Sequence, residues 1–460
     1  MSAVQDNDTI VGVATPPGEG GVGILRISGP RALRLARHVF RPPPALPRQR
    51  ELILGRVVDS RTDETLDDAF FVYMRGPRSY TAEDVVELHV HGSPRVLAAL
   101  TDDLVRLGAR PAERGEFTMR AFLNGRIDLC QAEAVLDLIT AETDEGVKQA
   151  RGQVHGRLTR VIDAVREELL GLLSQTEVNL DFVEDDVPVF RRGDLLARAE
   201  RIDAALVSLL ASYESGRRLQ RGYRVVLVGR SNTGKSSLFN ALLGRDRALV
   251  DAQPGTTRDY VEERLDVQGY PLRLIDTAGF RPGAGSVEVA GQQASERLGG
   301  EADLAIFVLD RSQRVSPEDV AIYGALKHAR IIPVLNKIDR EPVTTGHDLA
   351  FLQGKPPTET SAITGDGLGT LRARIVGELR AAFAAPRPDH LLVTRERHRS
   401  LLDRARRELT SGVLEIQSGA PLEIAAVPLY EALHALEEVL GKGTPDDVLE
   451  RIFADFCIGK

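Results

Sequence analysis

The stretch Gly229-Arg230-Ser231-Asn232-Thr233-Gly234-Lys235-Ser236 constrains this chain more than any other, because it fits the phosphate-binding pattern G-x-x-x-x-G-K-[ST]. An apolar run over residues 223–228 precedes it and a helical pattern over 237–243 follows, which is the strand–loop–helix context the motif needs. Glycines let successive backbone N–H groups turn inward on a polyphosphate, and the following helix aims the positive end of its dipole at it. Lys235 is placed to neutralise the outer phosphates and Ser236 to hold magnesium, with Asn232, Thr233, Gly234 and Ser237 completing the cradle.

Three further elements follow in the order a guanine-nucleotide site requires. Asp276-Thr277-Ala278-Gly279 closes a strand, where a carboxylate reaches magnesium through water and a glycine N–H reaches a γ-phosphate. Asn336-Lys337-Ile338-Asp339 closes another, and Asp339 there accepts both N1–H and the exocyclic amine of guanine, a donor pair that adenine lacks. Ser361-Ala362-Ile363 is placed to close over the base, and Thr257, in Gly255-Thr256-Thr257-Arg258, offers the metal a hydroxyl. The set predicts GTP hydrolysis. Phe280 follows the Asp-Thr-Ala-Gly element, where Ras-like enzymes carry a water-orienting glutamine, so either turnover is slow or another group acts. Glu288 is the leading candidate. The loop Asp251-Ala252-Gln253-Pro254-Gly255-Thr256 is placed, with Asn232, beside the phosphates of the nucleotide.

Around this insertion the chain changes character. Residues 1–118 read as a mixed α/β domain, with strands expected over 9–14, 23–27, 52–58, 69–74 and 85–89 and a helix over 94–107. From 119 to 216 the spacing is helical, over 132–143, 147–173 and 195–213, and it is helical again after 385, over 395–414, 429–440 and 446–456. Two half-bundles are more economically read as one discontinuous helical domain, interrupted at 217–384 by a mostly parallel α/β nucleotide-binding domain. Arg26 lies within an apolar strand, either as an edge residue reaching water or as an anion ligand. His89 and His91 share a strand face but lack a third metal ligand nearby. Arg217, Arg218 and Arg221, and the arginines between 395 and 407, are candidate nucleic-acid contacts, though interspersed acids suit a solvated helix face better.

The net charge of −8 argues against wholesale nucleic-acid binding, so any such partner must meet a local basic patch. Two cysteines, Cys130 and Cys457, cannot build a metal cage or disulfide framework, and no apolar run approaches a membrane span. The reading is of a soluble, cytoplasmic protein with no membrane partner.

Several stretches resemble the MnmE or TrmE family of tRNA-modification GTPases over essentially the whole length. They are Gly20-Gly21-Val22-Gly23-Ile24-Leu25-Arg26-Ile27-Ser28-Gly29, Tyr80-Thr81-Ala82-Glu83-Asp84-Val85-Val86-Glu87, Gly115-Glu116-Phe117-Thr118, Arg120-Ala121-Phe122-Leu123-Asn124-Gly125 and Cys457-Ile458-Gly459-Lys460. The resemblance implies an N-terminal domain that binds a tetrahydrofolate derivative (5-formyl- or 5,10-methylene-tetrahydrofolate) and forms a homodimer, a helical domain, and a Ras-like GTPase. It implies a flavoprotein partner, MnmG or GidA, in a heterotetramer that installs an aminomethyl or carboxymethylaminomethyl group on carbon 5 of the wobble uridine, position 34, of certain tRNAs. By position it implies folate contacts at Arg26, Glu87, Arg126 and Lys460. It likewise implies magnesium ligands at Ser236 and Thr257, a potassium site at Asn232 completed by the loop at Asp251, Gln253 and Thr256, and Glu288 as the water-orienting acid. It also raises Cys457 from an ordinary tail thiol to a candidate nucleophile. Arg126 stands where the family usually has lysine, and Asp251 where threonine is common. The competing class is a regulatory or ribosome-assembly GTPase without covalent RNA chemistry. Such a switch has no evident use for the N-terminal domain or the cysteine tail.

Overall fold

The computed structural model describes residues 8–45, 47–141, 143–181, 191–244, 261–276, 302–326, 330–383 and 393–460. Two compact units divide the chain. One comprises Met1–Leu136, Gln153–Arg198 and Arg407–Lys460, and the other Asp137–Gly152 and Ala199–Arg406.

The N-terminal domain runs β1 (Ile10–Val13), β2 (Gly20–Ser28), α1 (Ala32–His38), β3 (Phe40–Arg41), β4 (Ile53–Val58), β5 (Thr65–Met74), β6 (Val85–Gly92), α2 (Pro94–Arg106) and β7 (Arg110–Pro111). These strands form one sheet in the order β3-β4-β5-β6-β2-β1-β7. Strict alternation sorts its faces. Leu25, Ile27, Phe71, Val86 and Leu88 are buried with Leu35, Ala36, Leu97, Leu100 and Leu104 in one core. The opposite face carries Ile24, Arg26, Glu87, His89, Phe70 and Leu54. Because β2 lies between β6 and β1, Arg26 is not an edge residue.

Helices follow: α3 (Glu116–Leu123), α4 (Leu129–Thr140), α5 (Asp144–Val154), α6 (Arg157–Asp181) and α7 (Arg192–Arg221). The single helix expected over 147–173 is therefore two. Gly156 takes a left-handed backbone (φ 73°) and ends α5, which apolar spacing alone does not reveal.

The nucleotide-binding insertion runs β8 (Tyr223–Val228), α8 (Lys235–Leu243), β9 (Val261–Val267), β10 (Tyr270–Asp276), β11 (Leu304–Asp310), α9 (Pro317–Ala325), β12 (Ile331–Asn336), β13 (Thr358–Glu359) and α10 (Leu368–Ala382). Its strand order is β13-β12-β11-β8-β10-β9, and only the β9–β10 pair is antiparallel. Alternate residues of the strands enter two cores. Val225, Leu227, Ile306 and Val334 pack with Leu238 of α8 and Leu371 of α10, while Val226, Val228, Phe307 and Leu335 pack with Ile322 of α9. Covered on both faces, these strands are continuous apolar runs, as parallel strands require.

The chain closes with α11 (Glu396–Ser418), α12 (Leu422–Leu440) and α13 (Asp446–Ala454). The helix expected from 429 starts seven residues earlier, with Pro428 inside it. Proline removes only the hydrogen bond to the carbonyl of Ile424, a residue that is itself exposed to water. Among the described residues no helix is long and apolar enough to cross a membrane.

Candidate functional site

Parallel β8, β10, β11 and β12 bring Val228, Asp276, Asp310 and Asn336 to one edge of the sheet, where ligands of open α/β folds bind. Between β8 and α8 the loop Gly229–Gly234 turns back on itself. Lys235 folds over it, its ammonium donating to the carbonyls of Gly229 (2.8 Å) and Arg230 (2.9 Å). Burial lowers the pKa of Lys235, and the carboxylates of Asp276 and Glu318 oppose that shift. Gly234 caps α8 with φ 92°, and a Cβ there would overlap the Asn336 amide. Ser236 and Ser237 are exposed in the first turn of α8, and Asn232 is exposed in the loop.

The Asn336–Asp339 stretch is locked to this loop from the neighbouring strand. Asn336 Nδ2 donates to Thr233 O (3.1 Å) while its Oδ1 accepts from Ala362 N (3.2 Å), so one amide joins phosphate loop and base loop. The Lys337 ammonium donates to Asn232 O (2.6 Å) and meets Asp310 Oδ2 at 2.6 Å. Ser361 donates its hydroxyl to Asp339 Oδ1 (2.5 Å), a bond that holds the Asp339 carboxyl below the usual carboxylate range. Ile363 is 77 % exposed over this loop. The structure thus gathers Asn232–Ser236, Asn336–Asp339 and Ser361–Ile363 in one place, with Asp276 on the same edge. Asp251, Ala252, Gln253, Pro254, Gly255, Thr256, Thr257, Thr277, Ala278, Gly279 and Glu288 lie outside the described residues.

A second constellation lies in the other unit, on the sheet face opposite the α1 and α2 core. Arg26 and Glu87 are register partners on β2 and β6, and they pair at 2.9 Å through Arg26 Nε and Glu87 Oε1. His89 Nε2 takes the other carboxylate oxygen at 3.2 Å. Burial raises the Glu87 pKa, but the hydrogen bond of His89 and the charge and hydrogen bond of Arg26 outweigh it and leave it lowered. Arg26 Cζ lies 5.4 Å from the Tyr80 ring centre and Arg126 Cζ lies 5.2 Å from it. Arg126 also donates to Tyr80 O.

The C-terminal tail completes this group. Ile458 makes an antiparallel bridge with Arg114, Gly115 N donates to Cys457 O (3.3 Å), and Phe456 is buried with Met119 and Phe453. Gly459 (φ 91°) sits so close to Val13 that a Cβ would overlap its carbonyl, and its own carbonyl accepts from Arg26 Nη1 at 3.2 Å. Lys460 is half-buried, and burial followed by the charge of Arg26 lowers its pKa. The thiol of Cys457 is exposed, while Cys130 is buried. The four expected folate contacts therefore stand in one group with the tail. The sequence singles out His89 only as one of two histidines on a strand face and Tyr80 only within a family-resembling stretch, and gives neither a place at this site. An aromatic flanked by two arginines is invisible when they lie 54 positions before it and 46 after, although His89 beside Glu87 on one strand face was a readable signal.

His89 and His91 engage Glu87 and Asp67, and among the described residues no group of metal-binding side chains occurs. Several members of the arginine clusters are engaged by acids. Arg217 pairs with Glu214, Arg218 with Asp303, Arg395 with Asp137, Arg399 with Glu396 and Arg406 with Asp203.

A family model for the MnmE helical domain matches residues 129–457, and one for the GTP-binding protein TrmE N-terminus matches 9–126. The tRNA modification GTPase MnmE of Geobacter sulfurreducens is 42 % identical over 454 residues, covering 98 % of this chain and 99 % of that protein. The protein of the same name from Aquifex aeolicus is 40 % identical over 98 % of this chain and 100 % of its own length. That from Alkaliphilus oremlandii is 39 % identical over 99 % of both. With family models matching residues 9–126 and 129–457, and with these relatives about 40 % identical over almost the whole length, this chain belongs to the MnmE family of tRNA modification GTPases.

Proposed function

We propose that this GTPase couples GTP hydrolysis to the placement of an aminomethyl or carboxymethylaminomethyl group on carbon 5 of uridine 34 in certain tRNAs. The one-carbon unit comes from 5-formyl- or 5,10-methylene-tetrahydrofolate. The observation that carries this reading is the tail: Arg26 bonds both Glu87 and the carbonyl of Gly459, two residues from an exposed thiol. A bare switch has no use for such a joint.

The residues suit a folate. Tyr80 offers a flat aromatic surface flanked by Arg26 and Arg126, Glu87 offers a carboxylate held at both oxygens, and Lys460 adds a cation. A pterin has a flat face and N–H donors, and a glutamate tail has carboxylates for the cations. Bound folate would supply the carbon unit. Arg26, Glu87, Arg126 and Lys460 would orient it beside Cys457. We assign GTP to the phosphate loop, Asp276, Asn336–Asp339 and Ser361–Ile363, with magnesium held by Ser236 and Thr257 and water oriented by Glu288. The working assembly is a cytoplasmic homodimer joined by a flavoprotein of the MnmG type. Leu54 (68 % exposed) and Phe70 (42 % exposed), register partners on the face that carries Arg26, give the N-terminal sheet an apolar patch suited to a second copy.

Two experiments test this. Mass spectrometry of tRNA nucleosides from cells lacking the gene should show wobble uridine without its substituent, and an unchanged profile would overturn the proposal. Arg26→Ala should weaken tetrahydrofolate binding by roughly 10- to 100-fold, because it removes a charged partner of Glu87, while GTP turnover stays within about twofold. Calorimetry showing undiminished folate binding would remove Arg26 from the site.

Potassium belongs to the same proposal. Asn232, whose carbonyl is fixed by Lys337, presents its side chain to solvent at the loop where charge develops during hydrolysis. Turnover should be roughly tenfold or more faster in potassium than in sodium, and Asn232→Ala should erase the difference. Equal rates for the unaltered protein in the two salts, at matched ionic strength, would sink this assignment.

A further inference from the structure

We infer that Asp310 is a positioning residue for guanine-nucleotide binding, acting through Lys337 on the phosphate loop. Asp310 ends β11 in register with Asn336 at the end of β12, and its side chain is 1 % exposed. One carboxylate oxygen receives Lys337 Nζ at 2.6 Å, and the other accepts from both Ser312 N (2.9 Å) and Ser312 Oγ (2.7 Å). The carboxylate is thus held in one orientation from both sides. Thr344 Oγ1 donates to the Asp310 carbonyl at 3.3 Å, and Arg311 N to Asn336 O at 2.9 Å, so the strand end beneath it is pinned as well.

Lys337 needs such a guide. Its stem is flexible and its backbone is left-handed (φ 66°), an uncommon conformation for a side-chain-bearing residue. With Asp310 on one side, its ammonium is delivered to the carbonyl of Asn232, two residues before the Gly234 that approaches Asn336. A buried ion pair contributes little net stability, because desolvating both charges offsets their attraction. Its retention here is accounted for by what it places: the Asn336–Asp339 element is tied to the phosphate loop at Thr233 by Asn336 and at Asn232 by Lys337, and only the second tie depends on Asp310. Burial raises the Asp310 pKa, but the bonds from Lys337 and Ser312 prevail and lower it, consistent with a carboxylate that stays charged.

The inference rests on reading Asn336-Lys337-Ile338-Asp339 as the guanine-binding element, and a double-mutant cycle separates the two. Fluorescent GDP titration and steady-state GTP hydrolysis would be run on Asp310→Asn, Lys337→Met, the double variant and Ser312→Ala. Asp310→Asn should weaken GDP by about tenfold and raise KM for GTP alike, with kcat within about twofold. On the Lys337→Met background it should cause no further loss, since there it only removes a buried carboxylate that has no cation. Equal loss on both backgrounds, or a fall in kcat with KM unchanged, overturns the inference. Should Asp310→Asn fail to fold, Ser312→Ala decides. It should weaken GDP about two- to threefold in the unaltered protein and not at all beside Lys337→Met, and loss beside Lys337→Met, or none in the unaltered protein, overturns the role of Asp310. Full GDP affinity in Lys337→Met overturns instead the guanine assignment beneath it.

Discussion

Asp339→Asn should cost this protein about 10²-fold or more in GTP affinity and confer a matching preference for xanthosine triphosphate. The geometry sets the sign. Ser361 donates its hydroxyl to Asp339 Oδ1, which fixes the carboxylate plane. Ser361 is itself anchored, its N–H on Asp366 O at 2.9 Å and its carbonyl accepting from Gly365 N at 2.9 Å. An ionised carboxylate offers acceptors only, matching the two adjacent donors of guanine. An asparagine amide in the same slot keeps its oxygen toward the Ser361 hydroxyl and turns its NH₂ toward the base. Donor then faces donor, and a buried polar group without a partner is costly. Xanthine replaces the exocyclic amine by a carbonyl and restores the match. Competition between the two triphosphates in a hydrolysis assay measures the exchange, and an unaltered preference for GTP would mean that another residue reads the base.

That site was legible because its determinants are local. A phosphate loop needs glycines and a lysine within eight residues, and Asp276, Asn336 and Asp339 lie at or just past strand ends that burial on both faces makes into plain apolar runs. Long-range partners left no such trace. Arg26 meets Glu87 across 61 positions and Gly459 across 433, and Arg395 meets Asp137 across 258, so pairing of the arginine clusters was not visible from their composition. Some local signals are too short to be decisive. The α9 helix begins with Ser316-Pro317-Glu318-Asp319, a capping box with proline at its first position, yet its apolar spacing is too short to announce it. The seven-residue α1, whose buried stripe is only Ala32, Leu35 and Ala36, falls below the length at which periodicity separates helix from loop. In the helical region the misplacements at Gly156 and Pro428 have one origin. Glycine within an apolar pattern and proline ahead of one do not by themselves mark a helix end, and here tertiary packing decides the boundary.

Cys457→Ser should leave GTP turnover and folate binding within about twofold while tRNA modification falls at least about 10²-fold. The tail is held by groups that serine retains. The carbonyl of residue 457 accepts from Gly115 N, Phe456 anchors one side in the Met119 and Phe453 cluster, and Gly459 is seated against Val13 on the other. Only the exposed sulfur changes. A thiolate is a far better nucleophile than a hydroxyl at neutral pH. An electrophilic carbon presented beside Arg26 and Glu87 would thus meet a nucleophile in the intact protein and an inert hydroxyl in the variant. Retained GTP hydrolysis separates this from misfolding, and retained folate affinity separates it from loss of the Arg26 site. Modification at the full level by the serine variant would return Cys457 to a structural role and leave the chemistry to another group.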